Sequence, residues 1–160
     1  VLSKLGYRVV ATTGRMQEED FLKSLGAAEI RDRAEFADKA KPLNRELWAG
    51  AVDVAGGNTL ANVLSQIKYG GEAAICGLAE SMSLPTSVAP FILRGISMYG
   101  IDSVMAPTAK RVAAWQRLVS DHDMDLLDRL SFELAVADLP QAAEDNLAGK
   151  IRGRAVVLVP

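Results

Sequence analysis

The 160 residues carry 18 Lys and Arg against 20 Asp and Glu, a net charge of −2, which argues against the basic face of a nucleic-acid-binding surface. Apolar residues make up 49% and charged residues 24%, as in a soluble globular domain able to bury a core. No apolar run approaches the roughly 18–20 residues of a membrane span, and the single cysteine, Cys76, excludes an internal disulfide and a cysteine-based zinc site and fits a reducing, cytoplasmic compartment.

Strand-like and helix-like patterns alternate along the chain. Val1 to Leu5 reads as the last turns of a helix, stopped at Gly6, and Tyr7 to Thr12 as a strand. Gln17 to Leu25 is helical, with Phe21, Leu22 and Leu25 on one side and Gly26 as its stop. A short strand, Ala27 to Arg31, precedes a polar stretch to Asn44 that holds a helical turn and a loop. Ala51 to Ala55 is a strand closed by Gly56-Gly57. Leu60, Val63, Leu64 and Ile67 then form the apolar stripe of a helix, which Tyr69-Gly70-Gly71 is expected to end. Glu72 to Gly77 is an apolar strand, Ser87 to Arg94 a short helix containing Pro90, and Ile96 to Asp102 a further strand. Thr108 to Val119 is a long helix with Pro107 near its start. The last part contains the strand Phe132 to Val136, the helix Leu139 to Ala148 and the strand Arg154 to Val159, with Asp121 to Arg129 as the expected boundary before them.

Short apolar strands between helices predict an α/β fold with a parallel sheet covered on both faces. Right-handed crossovers make it doubly wound. A helix end, a strand and then Thr13-Gly14-Arg15 is the order found after the glycine-rich phosphate loop of a dinucleotide-binding unit, yet no G-x-G-x-x-G occurs. The expectation is a Rossmann-type sheet lacking its first strand and glycine-rich loop, the later part of a nucleotide-binding enzyme. In the strand order 3-2-1-4-5-6 the lacking strand is central. Its absence predicts a gap of roughly 10 Å between the strands that start near Tyr7 and Ala51.

In such a fold the tip of the second strand meets the adenosine ribose, and an acid there marks NAD. Here Thr13 and Arg15 supply a hydroxyl and a guanidinium, which suit a 2′-phosphate and therefore NADP. A solvated turn with an exposed arginine fits equally well. Asp53-Val54-Ala55-Gly56-Gly57 leaves room for an adenosine or simply makes a tight turn, and a buried Asp53 needs a partner. Cys76-Gly77-Leu78 ends the next strand at the same edge; Cys76 is expected to be a small buried hydrophobe rather than a nucleophile. Ile101, Asp102 and Ser103 either bring polar groups to that edge or cap the following segment. Arg152-Gly153-Arg154 reaches a pyrophosphate or forms a charged turn. Trp48 and Trp115 are expected to pack, and Arg94 stands at a helix end, where the dipole favours a cation.

Several runs resemble the medium-chain dehydrogenase/reductase superfamily: Leu5 to Ala11 with Thr13-Gly14-Arg15, Phe21 to Ala27, Trp48 to Asp53, and Tyr69-Gly70-Gly71 with Cys76 to Ala79. Leu84-Pro85-Thr86, Pro90 to Arg94, Gly100 to Met105 and Ala114 to Leu118 extend the likeness over the chain. Phe91-Ile92-Leu93-Arg94 and Gly100-Ile101-Asp102-Ser103-Val104-Met105 are similar to the zinc-independent, quinone-oxidoreductase-like branch that contains the acryloyl-CoA reductases. The resemblance implies NADPH-dependent reduction of the carbon–carbon double bond of acryloyl-CoA, without a metal, by a longer parent protein. It implies that Thr13 and Arg15 hold the 2′-phosphate and that Val54, Ala55 and Gly56 border the adenosine. Cys76, Gly77 and Leu78 would line the nicotinamide ribose, Ile101, Asp102 and Ser103 would flank the nicotinamide, and Arg154 would approach the pyrophosphate. It further implies that residues 1–125 are a partial NADP-binding domain and that residues 126–160 return to a catalytic domain. The strand Ile96 to Asp102 would pair with its mate in a homodimer. An NADPH:quinone or enone reductase is the alternative within the family. A noncatalytic dimerisation or nucleotide-sensing module lies outside it, and a methyltransferase would want an acid where Thr13 to Arg15 stand.

Overall fold

The computed structural model describes residues 1–159. Val1 to Leu5 form a helical turn: Leu5 N donates to Val1 O, Gly6 N to Ser3 O and Tyr7 N to Leu2 O. That bond pattern, with Gly6 at φ +86°, is a left-handed helix stop. Strand β1, Val10–Thr13, follows, then a 3₁₀ turn, Met16–Glu18, and helix α1, Glu19–Ser24. Gly26 closes α1 with the same bonding as Gly6. Strand β2, Glu29–Asp32, leads into a 3₁₀ turn, Arg33–Phe36, whose start is capped by the Asp32 side chain.

Strand β3, Trp48–Asp53, passes into helix α2, Gly57–Ser65, and strand β4, Ile67–Ile75. Here the structure departs from the sequence pattern. Ile67 opens β4 rather than ending the helix, and Tyr69-Gly70-Gly71 bulges inside β4 instead of stopping α2. The cause is competition for the last helix carbonyls. Ser65 O accepts from Asn44 N at 2.9 Å and from Arg94 Nη1 at 2.8 Å, and Gln66 O accepts from Leu47 N and Trp48 N. The carbonyls thus find partners at the point where the chain turns into the sheet.

Helix α3, Ala89–Arg94, carries Pro90 in its first turn, where no donor is lost. Strand β5, Ser97–Gly100, precedes α4, Thr108–Asp121, and α5, Met124–Leu130. The expected boundary around Asp121 to Arg129 is therefore largely helical. Strand β6, Ser131–Ala135, helix α6, Leu139–Leu147, and strand β7, Arg154–Leu158, complete the chain. Among the described residues, no helix is long and apolar enough to cross a membrane.

The strand pairings are all parallel, in the orders β1-β2, β3-β4-β5 and β6-β7. The expected α/β class with parallel, Rossmann-type winding is thus present. β1 and β3 share no ladder, which matches the break expected between them. The core lies on the second sheet: Leu60 and Leu64 of α2 pack with Ile67, Ala73 and Ile96, flanked by Trp48 and Phe91. Trp115, expected to pack, is 62% exposed on α4.

Candidate cofactor-binding site

Parallel strands with helical crossovers bring their carboxyl ends to one edge. Thr13 ends β1 and Gly14 and Arg15 follow it, Val54 to Gly56 follow β3, Cys76 to Leu78 follow β4, and Ile101 to Ser103 follow β5.

At the β1 tip, Thr13 Oγ1 accepts from Arg15 N at 3.0 Å, which folds the turn. The exposed Arg15 guanidinium donates from Nη1 to Gly149 O at 2.8 Å and to Ile151 O at 3.3 Å. The β1–β2 register sets Thr13 beside Asp32, so the next residue of β2's exit, Arg33, arrives against the turn. A Cβ built on Gly14 would stand 3.1 Å from Arg33 Nη2. The Arg33 guanidinium and the Thr13 hydroxyl thus meet at the glycine turn that Arg15 follows, while the Arg15 guanidinium itself rests on the Gly149 and Ile151 carbonyls. Sequence reasoning does not single out Arg33. Only the parallel register brings it to Gly14, and no local spacing announces it.

Behind the β3 tip, Asp53 is 6% exposed. Its Oδ2 accepts from Gly56 N at 2.8 Å, which is the partner that its burial requires. The glycines there serve the protein's own packing. A Cβ on Gly56 would collide with Ser81 O, one on Gly57 would meet Glu80 Oε1 at 2.5 Å, and one on Gly77 would collide with Val54 O. The loop after β4 lies across the β3 tip: Ala79 N donates to Val54 O, and Glu80 N and Ser81 N donate to Ala55 O. Val54 and Leu78 remain 59% exposed and face solvent at this edge. A shallow apolar hollow of about 260 Å³ under the loop is lined by Leu60, Ile75, Leu78 and Leu84, among others.

Cys76 is exposed rather than buried, with Sγ 3.5 Å from Asp53 O. It directly follows β4, and Gly77 after it lies against the Val54 backbone at the β3 tip. The Asp102 carboxylate accepts from Val104 N at 3.0 Å and Met105 N at 2.8 Å; it caps the following turn. Ser103 O accepts from Arg111 Nη1 at 2.8 Å. Arg154 begins β7, opposite Ser131. The contact with the β1 side is made instead by the loop before it, through the Gly149 and Ile151 carbonyls and Arg152. The Arg152 guanidinium lies 3.4 Å from Glu18 Oε2 and 4.7 Å from the Phe21 ring centroid. Among the described residues, no three His, Cys, Asp or Glu side chains are grouped to hold a metal ion.

Known proteins share this chain's sequence and shape. Residues 1–120 match the family described as zinc-binding dehydrogenase. A protein of Ruegeria pomeroyi named acrylyl-CoA reductase AcuI is 48% identical over 158 residues, covering 98% of this chain and 48% of its own. A Bacillus subtilis protein named putative quinone oxidoreductase YhfP is 45% identical, over 98% of this chain and 48% of its own. The crystal structure of the yhdH oxidoreductase from Salmonella enterica in complex with NADP superposes with a TM-score of 0.95 at 45% identity, covering 99% of this chain and 49% of that one. The chain thus spans about half the length of the relatives that it matches. Matched by its sequence over residues 1–120 and by its parallel α/β architecture, the chain belongs to the zinc-binding dehydrogenase family of medium-chain dehydrogenase/reductase oxidoreductases.

Proposed function

We propose that the protein reduces the carbon–carbon double bond of acryloyl-CoA to give propionyl-CoA, with NADPH as the reductant. The observation that carries the cofactor reading is the approach of the Arg33 guanidinium to the Thr13–Gly14 turn, which Arg15 follows directly. Two guanidiniums suit a dianionic 2′-phosphate, and no carboxylate follows Thr13 in that turn to accept from a free 2′-hydroxyl. The donor set therefore fits the adenosine end of NADP.

Thr13, Arg15 and Arg33 bind the 2′-phosphate and fix the adenosine end. Val54, Ala55 and Gly56 border the adenosine. The backbone of Cys76, Gly77 and Leu78 lines the nicotinamide ribose, while Ile101, Asp102 and Ser103 flank the ring. Arg154 and its neighbouring loop approach the pyrophosphate. When bound, the cofactor supplies a hydride for the β-carbon of the enoyl thioester, and a proton is added at the α-carbon. Holding both reactants in register is this chain's contribution to the rate. The substrate reading is supported by the relative named acrylyl-CoA reductase. β5 ends its three-stranded sheet with one unpaired edge, which supports pairing with a second copy.

The test is NADPH oxidation by the protein at its natural length. Oxidation should require acryloyl-CoA, and each of Arg15→Ala and Arg33→Ala should lower the preference for NADPH over NADH about tenfold. Unchanged preference in both variants would sink the 2′-phosphate assignment. A second reading, an NADPH:quinone or enone reductase, is favoured by the 45% identical relative named a quinone oxidoreductase. Quinone turnover without acryloyl-CoA turnover would select it.

A further inference from the structure

The loop that follows β4 is tied to α2 by a side chain to which neither the fold nor the cofactor contacts give a role. Glu80 Oε1 accepts from Asn58 N at 3.0 Å, and Oε2 accepts from Thr59 Oγ1 at 2.5 Å. Asn58 and Thr59 are the second and third residues of α2. The carboxylate therefore sits on the N-terminus of the helix, where unpaired N–H groups and the helix dipole favour an anion. Helix α2 supplies no capping side chain of its own, because its N-cap residue is Gly56. Thr59 is only 5% exposed, so its hydroxyl depends on Glu80 for an acceptor. Gly57, at φ +58°, leaves the space that Glu80 occupies.

We propose that Glu80 is a positioning residue for the nicotinamide end of the cofactor: by clamping the loop after β4 onto α2, it sets where Gly77 and Leu78 stand. The inference rests on the reading that Cys76 to Leu78 line the nicotinamide ribose. Glu80 acts two residues beyond Leu78, with the Ala79 and Glu80 amides held on Val54 O and Ala55 O between them. Release of the carboxylate lets this stretch lift from the β3 tip. The 2′-phosphate group, at β1 and β2, belongs to the other sheet and does not feel the change.

The selectivity of the effect tests the proposal. Binding of NADPH and of adenosine 2′,5′-bisphosphate, which has no nicotinamide, is measured by calorimetry on the protein at its natural length. Glu80→Ala should weaken NADPH about fivefold, the loss of a charge-assisted pair of hydrogen bonds, and leave the bisphosphate unchanged. Glu80→Gln keeps an acceptor for Asn58 N and can donate to the Thr59 hydroxyl, and should restore most of the affinity. Equal weakening of both ligands would mean a merely structural role and overturn the proposal, as would unchanged NADPH binding. Gly57→Ala, which crowds the carboxylate from the helix side, should reproduce the selective loss; if Glu80→Ala fails to fold, Gly57→Ala makes the same discrimination between the two ligands. Wild-type protein that binds the bisphosphate but gains nothing from the nicotinamide half overturns the nicotinamide reading itself, and this proposal with it. Wild-type binding that gains from that half, with Glu80→Ala unmoved, overturns this proposal alone.

Discussion

Single residues show how far side-chain chemistry can be read before the fold is known. Thr13 and Arg15 are close neighbours in sequence, and their residue types suit a phosphate contact and a solvated turn equally. Arg33 is silent at that level because its proximity depends on the β1–β2 register. Arg94, placed by sequence at its own helix end, reaches across to α2. Its guanidinium, with a side chain 13% exposed, donates to Ser65 O, Ile67 O and Asn44 O and faces Glu46. Arg94→Met keeps the stem and strands those carbonyls, so it should cost about 2 kcal/mol, measured as a lower urea midpoint. Glu29 offers a pH-dependent counterpart. Its side chain bonds to the Arg8 and Arg31 guanidiniums hold its carboxyl below the ordinary range. A carboxyl depressed on folding contributes stability above its ordinary pKa and loses it as the pH falls through the depressed value. Glu29→Gln should therefore lessen the drop in melting temperature on acidification below about pH 4. An identical drop in variant and wild type would dismiss the ion pairs as a source of stability.

At the scale of elements, the strands and helices follow their apolar periods closely, and the differences fall at ends. The pattern Leu60, Leu64, Ile67 reads as one helix face, and those residues do share a core. Ile67 reaches that core from the strand, because a chain turning from helix into sheet can keep an apolar side chain on the same side. The glycines after it look like a stop signal in sequence. In the structure they make the bulge of β4: Gly70 takes φ +70°, and a Cβ on Gly71 would lie 2.5 Å from Ala49 O. Gly71→Ala should destabilise the protein by about 2 kcal/mol through displacement of β3 from β4. Gly70 faces open space, so its alanine variant is penalised only by the left-handed backbone, by about 1 kcal/mol. Chemical denaturation of the two variants would reveal whether contact or conformation dominates.

Across the whole molecule, the sheet is divided. β1-β2 and β3-β4-β5 have no common ladder, and Val52 on β3 is 68% exposed. Helix α4 buries none of its residues. The 160 residues expressed by themselves should therefore bind an environment-sensitive naphthalene dye strongly. Weak dye binding would mean that these surfaces find cover within the chain. At β5, the 50% exposed Tyr99 stands on the proposed pairing edge; Tyr99→Lys should shift a dimer towards half its mass in light scattering. Apolar periodicity and chain direction are enough to specify the α/β class, the parallel winding and the loops that gather at the carboxyl edge. Thr13 and Arg15, two residues apart, can also be picked out along the chain, though there a phosphate contact and a solvated turn fit them equally. It takes the folded arrangement to bring Arg33 to them, to set Glu80 on α2 and to reserve Gly56, Gly57 and Gly77 for the loop's own packing. Those contacts join residues distant in sequence, and their geometry exists only once the registers and crossovers have brought the strands together.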